Sequence, residues 1–115
     1  MSALSIQLLI IRPLVAIFAL FGLVQLTGPR FVREAYARWE YPRGYYYITG
    51  LLELLAATLL ALPGTRVLGA FLGGIILFGA IITLLENQEY LHALPAMALL
   101  VATILAATVI AGAKQ

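Results

Sequence analysis

A chain of 115 residues that is 63% apolar and 10% charged differs sharply from soluble domains, which are about 45–50% apolar and about 25% charged. It has no cysteine, no aspartate and one histidine, which excludes disulfides and thiol redox chemistry and leaves no ligand set for a metal site built by the protein. The net charge of +2 is small, and the basic residues flank apolar segments, which favours lipid headgroups over nucleic acid.

Four apolar segments are predicted to cross a bilayer, and together they make residues 1–115 one transmembrane domain. At a rise of about 1.5 Å per residue, a helix of 18 residues is about 27 Å long, close to the thickness of the hydrocarbon core. We predict an all-α bundle of four transmembrane helices at 6–26, 45–62, 67–85 and 94–112. Such a protein is multi-pass, with both termini on one side; in a prokaryote it would lie in the cytoplasmic or inner membrane. Its basic residues do not decide the orientation.

Residues 29–41 are too polar to span a membrane and are predicted to form a short amphipathic helix in the interface plane. Its apolar side chains recur at helical spacing and share one face: Phe31, Val32, Ala35, Tyr36 and Trp39.

All six tyrosines and the only tryptophan are predicted to lie at one face of the bundle: Tyr36, Trp39, Tyr41, Tyr45, Tyr46, Tyr47 and Tyr90. An aromatic belt is the ordinary explanation, but belts normally form at both membrane interfaces. A one-sided set also fits an aromatic cap over the mouth of the bundle, bordering a ligand vestibule. The sequence leaves both interpretations open.

Glu53 is the only charged residue in the second span, near its midpoint, where a carboxylate costs at least about 2.5–3.5 kcal/mol. We predict that Arg12, in the first span, pairs with it; the alternative is that Arg12 extends to the nearer headgroups. Gln25, Thr49 and Thr83 are predicted to extend a polar track. The pair either sets helix register or belongs to a ligand or proton path.

Small residues are predicted to allow close helix packing at Gly50, Gly69, Gly73 and Ala80, either within one bundle or in a homo-oligomer. No nucleophile beside a base, no phosphate loop and no pair of carboxylates at catalytic spacing is apparent. The sequence therefore argues against an autonomous enzyme and predicts no catalytic residue.

Several weak motifs occur in a distinctive order: Arg12 and Gly22, then Tyr41-Pro42, Gly-x-x-Glu-Leu at 50–54, Leu-x-Leu-Pro-x-x-Arg at 60–66, and finally Gly69 and Ala80. In this order they resemble the DoxX-like family of small four-span membrane proteins, over nearly the whole chain. The resemblance implies family positions at Arg12, Gly50, Glu53, Pro63 and Arg66. Relatives often have lysine where this chain has Gln25. Arg66 is predicted to cap the aqueous side of the turn at Pro63-Gly64.

The resemblance implies a non-enzymatic accessory or scaffold subunit of a membrane redox or assembly complex. Relatives include a membrane subunit of an archaeal thiosulfate:quinone oxidoreductase and a receptor-assembly chaperone. No intrinsic cofactor is expected, and quinone or lipid is the expected ligand between the helices. The alternative from another class is a small proton-coupled transporter that uses Glu53. A third is a quinone-dependent enzyme, or a subunit of one.

Overall fold

The computed structural model describes residues 3–113, with side chains from residue 5 to residue 112. Its long helices are α1 (Ala3–Thr27), α3 (Tyr45–Ala61), α4 (Arg66–Glu86) and α5 (Tyr90–Ala113), and the short α2 (Arg30–Arg38) lies between α1 and α3. A single 3₁₀ turn, Pro63–Thr65, precedes α4. The predicted all-α fold with four apolar helices and a short polar helix is confirmed.

Three of the helices are long and apolar enough to cross a membrane, at Ser5–Thr27, Pro63–Glu86 and Tyr90–Gly112. The fourth, α3, has 17 residues and is therefore about 25 Å long, at the lower limit for a spanning helix. α1 begins three residues earlier than predicted and α5 four residues earlier, while α2 is shorter than the predicted 29–41.

The four long helices form a ring in which α1 contacts α3, α3 contacts α4, α4 contacts α5, and α5 contacts α1. α1 and α3 approach most closely at two glycines. A Cβ atom added at Gly22 would lie 2.9 Å from the carbonyl oxygen of Gly50, and one added at Gly50 would lie 2.9 Å from that of Gly22. Since neither position tolerates a side chain, these glycines set the register of α3 against α1.

Glycines also explain the close packing around α4. A Cβ atom at Gly69 would lie 2.5 Å from the backbone nitrogen of Leu60, and one at Gly73 would lie 2.7 Å from the ring of Phe18. Gly50, Gly69 and Gly73 therefore lie at contacts within one bundle. Ala80 differs from the other predicted packing residues, because it is exposed and borders a cavity.

The two halves of the bundle are packed differently. The half that contains the start of α1 and the end of α5 has a continuous apolar core: Ile11, Leu14, Phe18, Ala57, Leu60, Ala70, Leu77, Ala106 and Ile110. The other half, which we call the aromatic half, contains the end of α1, the start of α3 and the end of α4. It is covered by α2 and contains the cavity described below.

Arg66 is only 7% exposed, so the prediction that it caps the aqueous side of the turn was wrong. Its Nε donates to the carbonyl oxygen of Leu60 at 3.1 Å, and its Nη1 donates to Oε1 of Gln7 at 2.6 Å. The Leu60 carbonyl is one of the last four of α3, which have no partner within their own helix. Arg66 therefore caps the end of α3 and ties α4 to α1.

Candidate functional site

A cavity of about 810 Å³ lies in the aromatic half of the bundle, between α1, α3 and α4 and below α2. This volume is typical of small-molecule sites, which occupy about 300–1,000 Å³. Phe21, Leu52 and Ile75 border the cavity and are also exposed, which shows that it is open at the level of the spans. Its polar lining, with tyrosine and tryptophan counted as polar, comprises Gln25, Glu34, Tyr36, Arg38, Trp39, Tyr41, Tyr45, Thr49, Glu53, Thr83, Glu89 and His92.

Glu53 lies on the wall of this cavity and is 8% exposed. Its Oε1 accepts a hydrogen bond of 2.7 Å from Nε2 of Gln25, across the α1–α3 contact. Its Oε2 is buried and has no hydrogen-bond partner among the residues that the structure describes. One oxygen of the carboxylate is therefore held by Gln25, and the other is buried without a partner among the described residues.

The amide of Gln25 is itself oriented by α2. The hydroxyl group of Tyr36 donates to Oε1 of Gln25, which leaves the Nε2 of that amide to donate to Glu53. Burial raises the pKa of the Tyr36 phenol, so its hydroxyl stays protonated and keeps donating at neutral pH. The hydrogen bonds from Tyr36 to Gln25 to Glu53 thus connect the covering helix with both spans.

The predicted pairing of Arg12 with Glu53 is not found in the described part of the chain. Arg12 is exposed and borders a separate shallow groove near the start of α1. Gly22 faces Gly50 and Leu54, so Glu53 lies at about the level of Gly22. Arg12 is about ten residues, or about 15 Å, nearer to the start of α1. That distance exceeds the length of an arginine side chain. The prediction was wrong because α3 is short and is shifted toward the aromatic half.

The residues of the predicted polar track all border the same cavity as Glu53. Only Gln25 is bonded to Glu53. The hydroxyl of Thr83 pairs with the hydroxyl of Tyr41 and also donates to the carbonyl oxygen of Gly79, while the hydroxyl of Thr49 donates to the carbonyl oxygen of Tyr45. The structure thus groups polar side chains around one cavity rather than along one path.

Six of the seven predicted cap residues form one aromatic cluster, which consists of Tyr36, Trp39, Tyr41, Tyr45, Tyr46 and Tyr47. Tyr41 and Tyr45 stack with ring centroids 4.8 Å apart, and Tyr36 has four aromatic neighbours at 5.2–6.3 Å. Tyr90 is exposed and makes no ring contact within residues 5–112. The cluster lies at the mouth of the cavity, since four of its members also line it.

Glu89, which the sequence analysis did not single out, attaches α2 to the start of α5. Its Oε2 accepts from the indole nitrogen of Trp39 at 2.5 Å, and its Oε1 accepts from Nη2 of Arg38 at 2.9 Å. His92 lies 3.5 Å from the same Oε1. No local pattern indicates these contacts, because Trp39 and Glu89 are 50 residues apart in the chain.

The attachment of α2 should depend on pH. The hydrogen bond from Trp39, with help from Arg38 and His92, lowers the pKa of Glu89. A lowered folded-state pKa gives stability that is complete above the ordinary value of about 4.3 and is lost as pH falls through the folded value. We expect the fluorescence of Trp39, the only tryptophan, to change only as pH falls below the ordinary glutamate value. Glu89→Gln should abolish this transition; the same transition in that variant would assign it to another group.

These features define a class: a small multi-pass membrane protein with a four-helix ring, a short covering helix and an internal cavity with one buried carboxylate in its lining. The model of the DoxX-like family matches residues 12–109, so the chain belongs to the DoxX-like family and is an integral membrane protein. No curated protein matches the chain, and no solved structure matches it.

Proposed function

We propose that this protein is a non-enzymatic accessory subunit that holds a small amphiphile, a quinone or a lipid, in the cavity of the aromatic half. The observation that carries the proposal is that Glu53 lines a cavity of about 810 Å³ while its buried Oε2 has no hydrogen-bond partner among the described residues. Buried polar atoms are normally hydrogen-bonded, so an unpaired carboxylate oxygen on a side chain that lines a cavity indicates a place for a ligand.

The lining of the cavity suits a molecule with a polar head and an apolar tail. Glu53 and Thr83 offer polar atoms inside the cavity, while Phe21, Leu52 and Ile75 offer apolar surface beside the bilayer. A few placed polar groups in an apolar cavity are typical of small-molecule sites. Because the cavity is open at the level of the spans, an amphiphile can enter from the membrane.

Filling the cavity tests this proposal. A Cβ atom added at Gly79, which borders the cavity, meets no atom within 4 Å, so Gly79→Trp places an indole in the open space. We expect native mass spectrometry to show a bound amphiphile on the wild-type chain and less than about a tenth of that occupancy in Gly79→Trp, a loss of more than about 1.4 kcal/mol.

The matched control is Gly112→Trp, because Gly112 also has no neighbour within 4 Å of an added Cβ atom but lies outside the cavity lining. This variant should retain the amphiphile. A wild-type chain that emerges from its membrane without any small molecule would contradict the proposal. Partner proteins that co-purify with the wild-type chain would identify the complex that it serves.

One observation also favours the alternative function, proton-coupled transport. No cationic side chain pairs with Glu53 among the described residues, so its carboxylate is free to alternate between a proton and a cationic substrate. A transporter of this kind would show substrate-coupled proton flux in liposomes, and Glu53→Gln would abolish the flux. Absence of substrate-coupled proton flux with the wild-type chain would exclude proton-coupled transport.

A further inference from the structure

We infer that the ligand of this cavity carries an ammonium group, which pairs with the carboxylate of Glu53 while the aromatic cluster surrounds the polar head. The inference rests on the proposed function, because it names the chemical class of the amphiphile that the same cavity holds. Three features carry it: the balance of charge around the cavity, the hydrogen-bonding capacity of Glu53, and the aromatic side chains at the mouth.

The charged lining of the cavity is mainly acidic. It contains three carboxylates, Glu34, Glu53 and Glu89, against one guanidinium, Arg38, and one histidine, His92. Arg38 is bound to Glu89 at 2.9 Å, and His92 lies 3.5 Å from the same carboxylate. Both basic side chains are therefore engaged at the rim, and neither compensates Glu53.

Glu34 does not add to the buried negative charge of the cavity. It pairs with Arg30 at 2.8 Å, and both side chains are more than half exposed. Glu53 is consequently the one carboxylate of the lining that is both buried and without a basic partner within the described residues. A carboxylate at membrane depth is costly unless it is paired, so a positive charge is the ligand feature that stabilises it most.

Hydrogen bonding leads to the same class of ligand. Oε1 of Glu53 already accepts from Gln25, and a carboxylate in its ionised form can only accept hydrogen bonds. The remaining Oε2 therefore needs a donor or a cation. An oxidised quinone offers carbonyl oxygens, which are acceptors, whereas an ammonium group offers a positive charge, together with N–H donors when it is not quaternary.

The aromatic side chains match a cation as well. Tyr36, Trp39, Tyr41 and Tyr45 border the cavity, and cations are attracted to the faces of tyrosine and tryptophan rings. The apolar tail of the ligand would lie against Phe21 and the bilayer. The recognised molecule is thus an amphiphilic amine or quaternary ammonium, whether it is a membrane lipid with an ammonium headgroup or a free alkylamine.

Two probes with the same alkyl tail test the inference. Decyltrimethylammonium carries a permanent positive charge, and decylubiquinone is neutral. Each is titrated into the full chain in a non-ionic detergent, with Trp39 fluorescence as the readout because Trp39 borders the cavity. We expect decyltrimethylammonium to bind the wild-type chain saturably, and Glu53→Gln to weaken that binding by about tenfold or more, as the loss of a charge-assisted contact predicts.

Gln25→Lys provides a second variant that does not remove the carboxylate. A lysine ammonium at the position that now donates to Oε1 at 2.7 Å would supply an internal cation, so binding should fall as it does in Glu53→Gln. The matched control is Glu86→Gln, which removes an exposed carboxylate outside the cavity lining and should bind like the wild-type chain. Far-ultraviolet circular dichroism shows whether each variant is folded.

The outcomes separate the inference from the proposed function. Binding of decylubiquinone without binding of decyltrimethylammonium, or equal ammonium binding in the wild-type chain and in a folded Glu53→Gln or Gln25→Lys, overturns the inference and leaves the proposed function standing. Failure of both probes to bind the wild-type chain, together with no lipid retained on that chain from vesicles, overturns both.

A parallel measurement distinguishes the two sources of the ammonium group. The wild-type chain and Glu53→Gln are reconstituted in vesicles of phosphatidylethanolamine and phosphatidylglycerol, and the lipids retained on the protein are measured by mass spectrometry. Phosphatidylethanolamine retained by the wild-type chain and lost in Glu53→Gln identifies a lipid headgroup. Binding of the soluble ammonium probe without such retention identifies a free amphiphile. Both results support the inference.

Discussion

Gly69→Ala is expected to destabilise the bundle severely, whereas Gly79→Ala in the same helix is expected to leave it as stable as the wild-type chain. A Cβ atom at Gly69 would lie 2.5 Å from the backbone nitrogen of Leu60 and 2.9 Å from the carbonyl oxygen of Ala56, and backbone atoms cannot move aside as a flexible side chain can. Overpacking of this kind costs about 1–3 kcal/mol or more.

Gly79 is the matched control because an added Cβ atom there meets nothing within 4 Å. Alanine also favours helix by about 1 kcal/mol over glycine in soluble hosts, so Gly79→Ala should be neutral or stabilising. The free energy of unfolding is measured by titration with sodium dodecyl sulfate in mixed micelles. Equal stability of Gly69→Ala and Gly79→Ala would show that α3 and α4 do not approach as closely as described.

Arg66→Ala is expected to lower the free energy of unfolding by about 3 kcal/mol, since each buried polar group left without its partner costs about 1–3 kcal/mol. The groups concerned are the carbonyl oxygen of Leu60 and the side-chain oxygen of Gln7, both of which accept from Arg66. The variant also removes the connection between α4 and α1 in the closely packed half of the bundle.

Arg12→Ala provides the comparison for this effect, because Arg12 is an exposed arginine in the same half of the bundle. Its loss should change the free energy of unfolding by no more than about 0.5 kcal/mol, as is usual for surface positions. The two variants are compared in the same detergent titration. A larger effect for Arg12→Ala than for Arg66→Ala would mean that the roles of the two arginines are reversed.

The helices could be predicted from sequence because each depends on a local property. Runs of apolar residues long enough for a bilayer locate the spans, and the apolar face of residues 29–41 indicates a short amphipathic helix. The concentration of aromatic residues at one face also follows from counting, since four helices with short loops place the first and third loops together. The family follows from the order of several weak motifs.

The partner of Glu53 could not be predicted in this way, because it depends on how far α3 is shifted along α1. That shift is set by the contact of Gly22 with Gly50, and the sequence of neither segment predicts this contact. Charge complementarity favoured Arg12, but the register places the neutral Gln25 opposite Glu53. A neutral partner changes the interpretation of the site, since it leaves the carboxylate without a compensating cation.

Two further contacts share this non-local origin. Arg66 follows a Pro-Gly turn, a position that ordinarily favours solvent, yet the unsatisfied carbonyl of Leu60 draws its side chain inward. Glu89 and Trp39 are 50 residues apart and meet only after α2 has folded over the bundle. The Arg66 side chain is placed by a backbone carbonyl that lacks a partner, and the Glu89 side chain by an indole N–H that needs an acceptor.

Photolabelling tests the central claim, that the cavity holds an amphiphile at Glu53, most directly. A decylammonium probe with a diazirine beside the nitrogen is photolysed in membranes that contain the wild-type chain, and the labelled residues are mapped by peptide mass spectrometry. We predict adducts at Glu53, Tyr36 and Thr49 that excess decyltrimethylammonium prevents. Adducts confined to the exposed Leu68 and Ile104, or insensitive to that competitor, would contradict the claim.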